Sequence, residues 1–194
     1  MNKNENKVLR REISKFLAIQ YFTCPDLEEI IAGAFYDASF NCNTQEVYSD
    51  KRIEIQEALY SEINRRKNQG ELLTSDSLME YLLHTFENYH LKFCFVQLFV
   101  NRTLQSILIL NRLFEDQPIP VDEKKCDCPI DINFTGCLSR NVIKRPPDFC
   151  SEEMTREEYD QIQEQVSKYL KEKGYEHVGN IFFAFLRENE LQME

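Results

Sequence analysis

Apolar residues recur along most of this chain at the spacing of amphipathic helices. Leu9, Ile13, Phe16, Leu17 and Tyr21 share one side of a helical projection, which predicts a first helix over residues 6–22. Thr23-Cys24-Pro25 interrupts it, because proline lacks the amide donor and disfavours helical geometry in the residue before it. A second helix is expected from Pro25 onward, with Asp26, Glu28 and Glu29 at the positive end of its dipole and Leu27, Ile30, Ile31, Ala34, Phe35 and Ala38 as its inner stripe. Ile55, Ala58, Leu59 and Ile63 predict a third helix over residues 46–68, closed by Gly70.

From Thr74 to Glu115 the chain contains neither glycine nor proline, so one very long helix or two in tandem should follow the N-cap candidates Thr74, Ser75 and Asp76. A single projection places Leu78, Leu82, Phe86, Tyr89, Phe93 and Val96 on one side and Glu80, His84 and Glu87 opposite. Beyond Leu91 apolar residues appear on every face, the mark of a helix surrounded by others. Thr155 and Glu158 fit a capping box for a helix that carries Tyr159, Ile162, Val166, Tyr169 and Leu170 as far as Gly174. Residues 181–186 are apolar throughout and too few for periodicity to separate strand from helix; a short helix capped by Asn180 is the expectation.

Residues 116–150 break the pattern. They hold all the prolines except Pro25, show no helical period, and exceed the length at which a compact domain leaves a connection unstructured. Alternation at Ile130, Ile132 and Phe134, followed by Thr135-Gly136, predicts a short β-hairpin that returns through residues 138–143. The expected fold class is mainly α: one domain over residues 1–194, with five to six helices bundled around a long buried central helix.

Composition narrows the chemistry. With 33 acidic against 23 basic residues the formal charge is −10, which disfavours a phosphate backbone as partner. The N-terminal stretch lacks the apolar run of about 7–15 residues that a secretory signal requires. The longest apolar run, Leu91 to Phe114, is interrupted by Lys92, Gln97, Asn101, Arg102, Gln105, Asn111 and Arg112, so no membrane span is expected. Seven cysteines, an odd number without a signal peptide, point to reduced thiols and a cytoplasmic location.

Two constellations could bind metal. Glu80, His84, Glu87 and His90 have the spacing by which helical bundles hold a carboxylate-bridged metal pair, but the projection turns the first three away from the core, and the third histidine, His177, lacks the matching acid. Cys126, Cys128, Cys137 and Cys150 could close a tetrahedral site, and a structural zinc there would account for order in the 116–150 segment. No nucleophile elbow or glycine-rich phosphate loop occurs.

The expected function is therefore non-enzymatic. The chain reads as a helical interaction module, an adaptor or inhibitor, acting through its acidic surface and the 116–150 loop on another protein with a basic surface. The alternative is a metal-dependent enzyme with a bundle site near Glu80, His84, Glu87 and His90; a small-molecule ligand stays open.

Overall fold

The computed structural model describes residues 26–114, 118–131 and 154–190. Among these the fold is mainly helical, as the periodicity predicts. The expected helix over residues 6–22 and the return arm of the expected hairpin lie outside the described residues.

Helix α1 (Leu27–Asn41) starts at Asp26, whose Oδ1 accepts the Glu29 amide at 2.8 Å, and buries Ile30, Ile31, Ala34, Phe35 and Ala38. The cap falls on Asp26 rather than on a proline-led first turn, because aspartate can accept an orphan amide. The next helix begins later than its apolar spacing suggests: a 3₁₀ turn (Ser49–Lys51) precedes α2 (Arg52–Gln69). Gly70 ends α2 in the left-handed region at φ 70°, where a residue without Cβ is unstrained.

The glycine-free stretch is two helices. Helix α3 (Ser75–Thr85) opens with a reciprocal Thr74/Ser77 capping box; a 3₁₀ turn (Glu87–Tyr89) and a left-handed His90 at φ 47° follow, and α4 (Phe93–Leu113) begins. The break lets Phe86 and Leu91, which a continuous helix would set on opposite sides, both enter the core. It also overturns one assignment of the single projection: Tyr89 is 41% exposed, and Phe93 is only half-buried. Tyr48, in the loop between α1 and α2, accepts the Lys92 amide at 2.8 Å and so steadies the start of α4.

Helix α4 is the central element. Phe95, Val96, Leu98, Phe99, Val100 and Leu104 have no exposed surface, and α1 forms its most extensive neighbour, followed by α3. By length and composition α4 could cross a membrane, with a mean hydropathy of 1.5, yet 78% of its most apolar window is already buried within the domain. Phe35, Tyr48, Phe95 and Phe99 form an aromatic cluster, with Phe35 edge-on to both phenylalanines.

Helix α5 (Arg156–Glu172) carries the predicted Thr155/Glu158 capping box and buries Tyr159, Ile162, Val166 and Leu170 as its spacing requires. Helix α6 (Phe182–Glu190) settles residues 181–186 as helical from Phe182 on, with the whole apolar run buried. Asn180 does not spend its side chain on that helix: its Nδ2 donates to the Gln163 backbone oxygen at 2.8 Å, tying the turn to α5.

Candidate functional site

The 118–131 segment keeps its first part, residues 118–125 with a 3₁₀ turn at Glu123–Lys125, exposed or half-buried, and enters the core from Cys126 on, with Cys126, Cys128, Ile130 and Asp131 buried. A buried backbone must satisfy its polar groups, and no sheet is at hand among the described residues. Leu73 supplies one short pairing: its amide donates to Pro120 O at 2.8 Å, and its oxygen accepts the Asp122 amide at 2.9 Å. Three side-chain amides supply further pairs. Asn111 accepts the Ile119 amide at 2.9 Å and donates to the Ile119 oxygen at 2.7 Å. Gln97 grips Ile130 in the same two-point way at 3.2 and 2.8 Å, and Gln163 grips Cys128 at 3.1 and 2.8 Å. Asp131 ends the segment in an ion pair with Arg102.

At its middle the segment closes a buried polar ring. Ser75 Oγ donates to Asn101 Oδ1 at 2.6 Å; Asn101 Nδ2 donates to the Tyr159 hydroxyl at 2.8 Å; Tyr159 donates to Asp127 Oδ2 at 2.9 Å; and the Asp127 amide returns to Ser75 Oγ at 2.8 Å. Four residues thereby fasten α3, α4, the extended segment and α5 to one another. Burial pushes the Asp127 carboxyl from 3.8 up to about 6, against the Tyr159 hydrogen bond, which favours the ionised form; Asp76 and Asp160 raise it further and Arg156 opposes them. Arg156 itself bridges Asp76 at 2.6 Å and Asp160 at 2.9 Å, and lies over the Phe93 and Tyr159 rings. A carboxyl near 6 can exchange protons at neutral pH, but the ring already commits both Tyr159 bonds and the Asn101 amide to its own members. The arrangement fastens the fold.

The residues singled out for metal chemistry fall elsewhere. Glu80 and His84 lie on the exposed side of α3, Glu87 and His90 in the turn after it, and His177 in the turn before α6, all facing solvent. Among the described residues no three His, Cys, Asp or Glu side chains are placed to hold a metal ion. Cys126 and Cys128 are both in the apolar core; the Cys126 thiol donates to Asp122 O at 3.3 Å, and burial together with Asp127, Asp122 and Glu123 raises it far above an ordinary thiol. Cys137 and Cys150, the other two expected zinc ligands, lie outside the described residues.

One face stands out for what it leaves uncovered. Glu29, Gly33, Tyr36 and Phe40 form a solvent-facing stripe on α1, with Tyr36 70% and Phe40 62% exposed; Val47 follows in the loop at 62% and Ile53 on α2 at 63%. Beside them α1 and α2 frame an open groove of about 240 Å³ lined by Glu28, Ile31, Ile53, Gln56, Glu57 and Tyr60. Residues 26–60 carry eight acids against two bases, a net of −6 within the chain's −10. Sequence periodicity finds the inner stripe of α1 and passes over this outer one; Tyr36 and Phe40, four apart and off the core side, were the readable signal.

No family model matches the chain, and no curated protein or solved structure shows significant similarity to it.

Proposed function

We propose that the protein is a non-enzymatic helical interaction module whose contact surface is the outer side of α1 and the beginning of α2, and that its partner is a protein presenting basic and apolar side chains together. The observation that carries this reading is the coincidence of four large exposed apolar residues, Tyr36, Phe40, Val47 and Ile53, with a net charge of −6 over residues 26–60. Aromatic anchors give an interface its affinity when a partner desolvates them, and a surrounding field of one sign selects a partner of the other. Within the 116–150 segment, residues 126–131 are almost wholly committed to the core and add little to the contact surface.

The test is affinity capture from the native host with wild-type protein, Tyr36→Ser/Phe40→Ser, Glu28→Lys/Glu57→Lys and the control Glu80→Lys, each checked for an unchanged melting temperature. A partner that binds this face is retained by wild type and control, is lost at least about tenfold by both face variants, and is released by salt as the screening length shortens. Equal capture by the face variants, or no salt-sensitive partner on the wild type, sinks the reading.

A further inference from the structure

We propose that the outer side of α1 is covered by the chain's own residues 6–22, and that a partner binds there by displacing them. Displacement rests on the interaction reading above; the covering itself does not. Tyr36, Phe40 and Ile53 are each more than half exposed, and Ala32 and Gly33 lie exposed between Glu29 and Tyr36 on the same helix. A Cβ on Gly33 would meet nothing within 4 Å, so the middle of this face is open to the close approach of another backbone. Asp37 and Glu54 are held by Arg102 and Lys51, whereas among the described residues Glu28, Glu29 and Glu57 make no ion pair. The face thus offers an apolar strip beside uncompensated acids.

The stretch that leads into α1 has the complementary chemistry. Residues 6–22 lie outside the described residues; their sequence predicts an amphipathic helix with Leu9, Ile13, Phe16 and Leu17 on one side, and on the same projection Lys7 and Arg10 border that stripe. Residues 1–22 hold five bases against two acids, a net of +3, facing the −6 of residues 26–60. Only Thr23, Cys24 and Pro25 separate the predicted helix from Asp26, the cap of α1, and a connection that short joins antiparallel neighbours. Equal rise along both helices brings Ile13 and Leu9 roughly level with Tyr36 and Phe40. The inner side of α1 is already packed on α4 and α2, which leaves the outer side for this neighbour.

The charges also decide against a second copy of the chain, whose own face would bring the same −6 against this one. A short tether, by contrast, holds the basic stretch at an effective concentration on the order of millimolar. An amphipathic helix of this length is marginal in water by itself, so docking on the face would supply most of its order.

The experiment measures amide hydrogen exchange of the full chain by mass spectrometry, a readout that needs no partner. Amides of residues 6–22 are expected to exchange at least about tenfold more slowly in wild type than in Tyr36→Ser/Phe40→Ser. Lys7→Glu/Arg10→Glu should lose the protection as well, and added salt should weaken it. Unprotected amides in the wild type, or protection that survives Tyr36→Ser/Phe40→Ser, overturn the proposal. About tenfold protection means a face free about one-tenth of the time, so Lys7→Glu/Arg10→Glu should hold a partner captured on this face about tenfold more tightly than wild type does. Equal affinity for that partner overturns the displacement. Protection as expected with no partner captured sinks the interaction reading and supports the covering.

Discussion

Tyr159→Phe deletes one oxygen from the buried polar ring and leaves the aromatic packing of α5 in place. That oxygen donates to Asp127 Oδ2 at 2.9 Å and accepts from Asn101 Nδ2 at 2.8 Å, in a side chain with no exposed surface. A hydrogen bond to a charged group contributes about 1.5–3 kcal/mol, and a buried amide left without its acceptor costs about 1–3 kcal/mol. Allowing for the lower cost of burying phenylalanine, the expected loss at pH 7.5 is about 3 kcal/mol.

The loss should depend on pH. Asp127 has a folded value of about 6, above the ordinary 3.8 of an unfolded aspartate, so the folded protein keeps this proton to higher pH than the unfolded chain does. Its contribution to stability is accordingly full below about pH 4 and disappears as pH rises through about 6. The Tyr159 hydroxyl favours the ionised carboxylate; without it the folded value climbs and the loss on raising pH grows. At pH 4.5 the folded carboxyl is largely protonated in both proteins, and the variant gives up mainly neutral hydrogen bonds, about 1 kcal/mol. Urea unfolding followed by circular dichroism at pH 4.5 and 7.5 measures both differences. A penalty that is equal at the two pH values, or below about 0.5 kcal/mol at the higher one, refutes the role assigned to the ring.

Three further perturbations probe separate parts of the fold. Gly179→Ala places a Cβ 1.9 Å from the Glu123 carbonyl oxygen and 3.0 Å from that of Cys126, both backbone atoms, so a loss of about 3 kcal/mol is expected in urea unfolding; a near-neutral result contradicts the close approach of this turn to the 118–131 segment. Gln163→Leu strips Cys128 of both its backbone partners and should lose about 2–4 kcal/mol of unfolding free energy despite its added hydrophobicity; unchanged stability means that Gln163 does not hold the segment. Leu82→Ala should cost about 2–5 kcal/mol and Glu80→Ala less than about 0.5 kcal/mol; comparable losses would reverse the facing of α3.

Helices α1 and α5 were legible from their apolar stripes, and α5 also from the capping box at its start. The two helices in tandem were one of two readings left open, but the place where α3 gives way to α4 was not legible, because the chain turns on His90, a residue that enters the left-handed region without glycine's advertisement. One projection carried across that corner consequently put Tyr89 on the wrong side. The polar ring was equally hidden: its hydrogen-bonded side chains stand 26 to 58 residues apart, and spacing at that range carries no pattern. A partial signal did exist. Gln97, Asn101 and Gln105 recur every four residues along an otherwise apolar helix, a polar row that makes sense only if something polar is buried against it.

What lies against that row explains how a helical domain accommodates a stretch of extended chain in its interior. A strand in a sheet satisfies alternate peptide groups from a neighbouring backbone; here the neighbours are helices, whose own amides are already spent. A carboxamide presents a carbonyl oxygen and an N–H in nearly the disposition of a peptide group, and it is neutral, so it can enter the core without the desolvation cost of a charge. Asn111, Gln97 and Gln163 each take the place of one missing strand residue, and because each makes two bonds to a single residue it fixes position as well as energy. Gln163 and Gln97 hold Cys128 and Ile130, two residues apart, so both grips address the same phase of an extended chain. Sliding the segment by one residue would break both and turn Cys126, Cys128 and Ile130 out of the core together, which is why residues 126–131 have a single course through this fold.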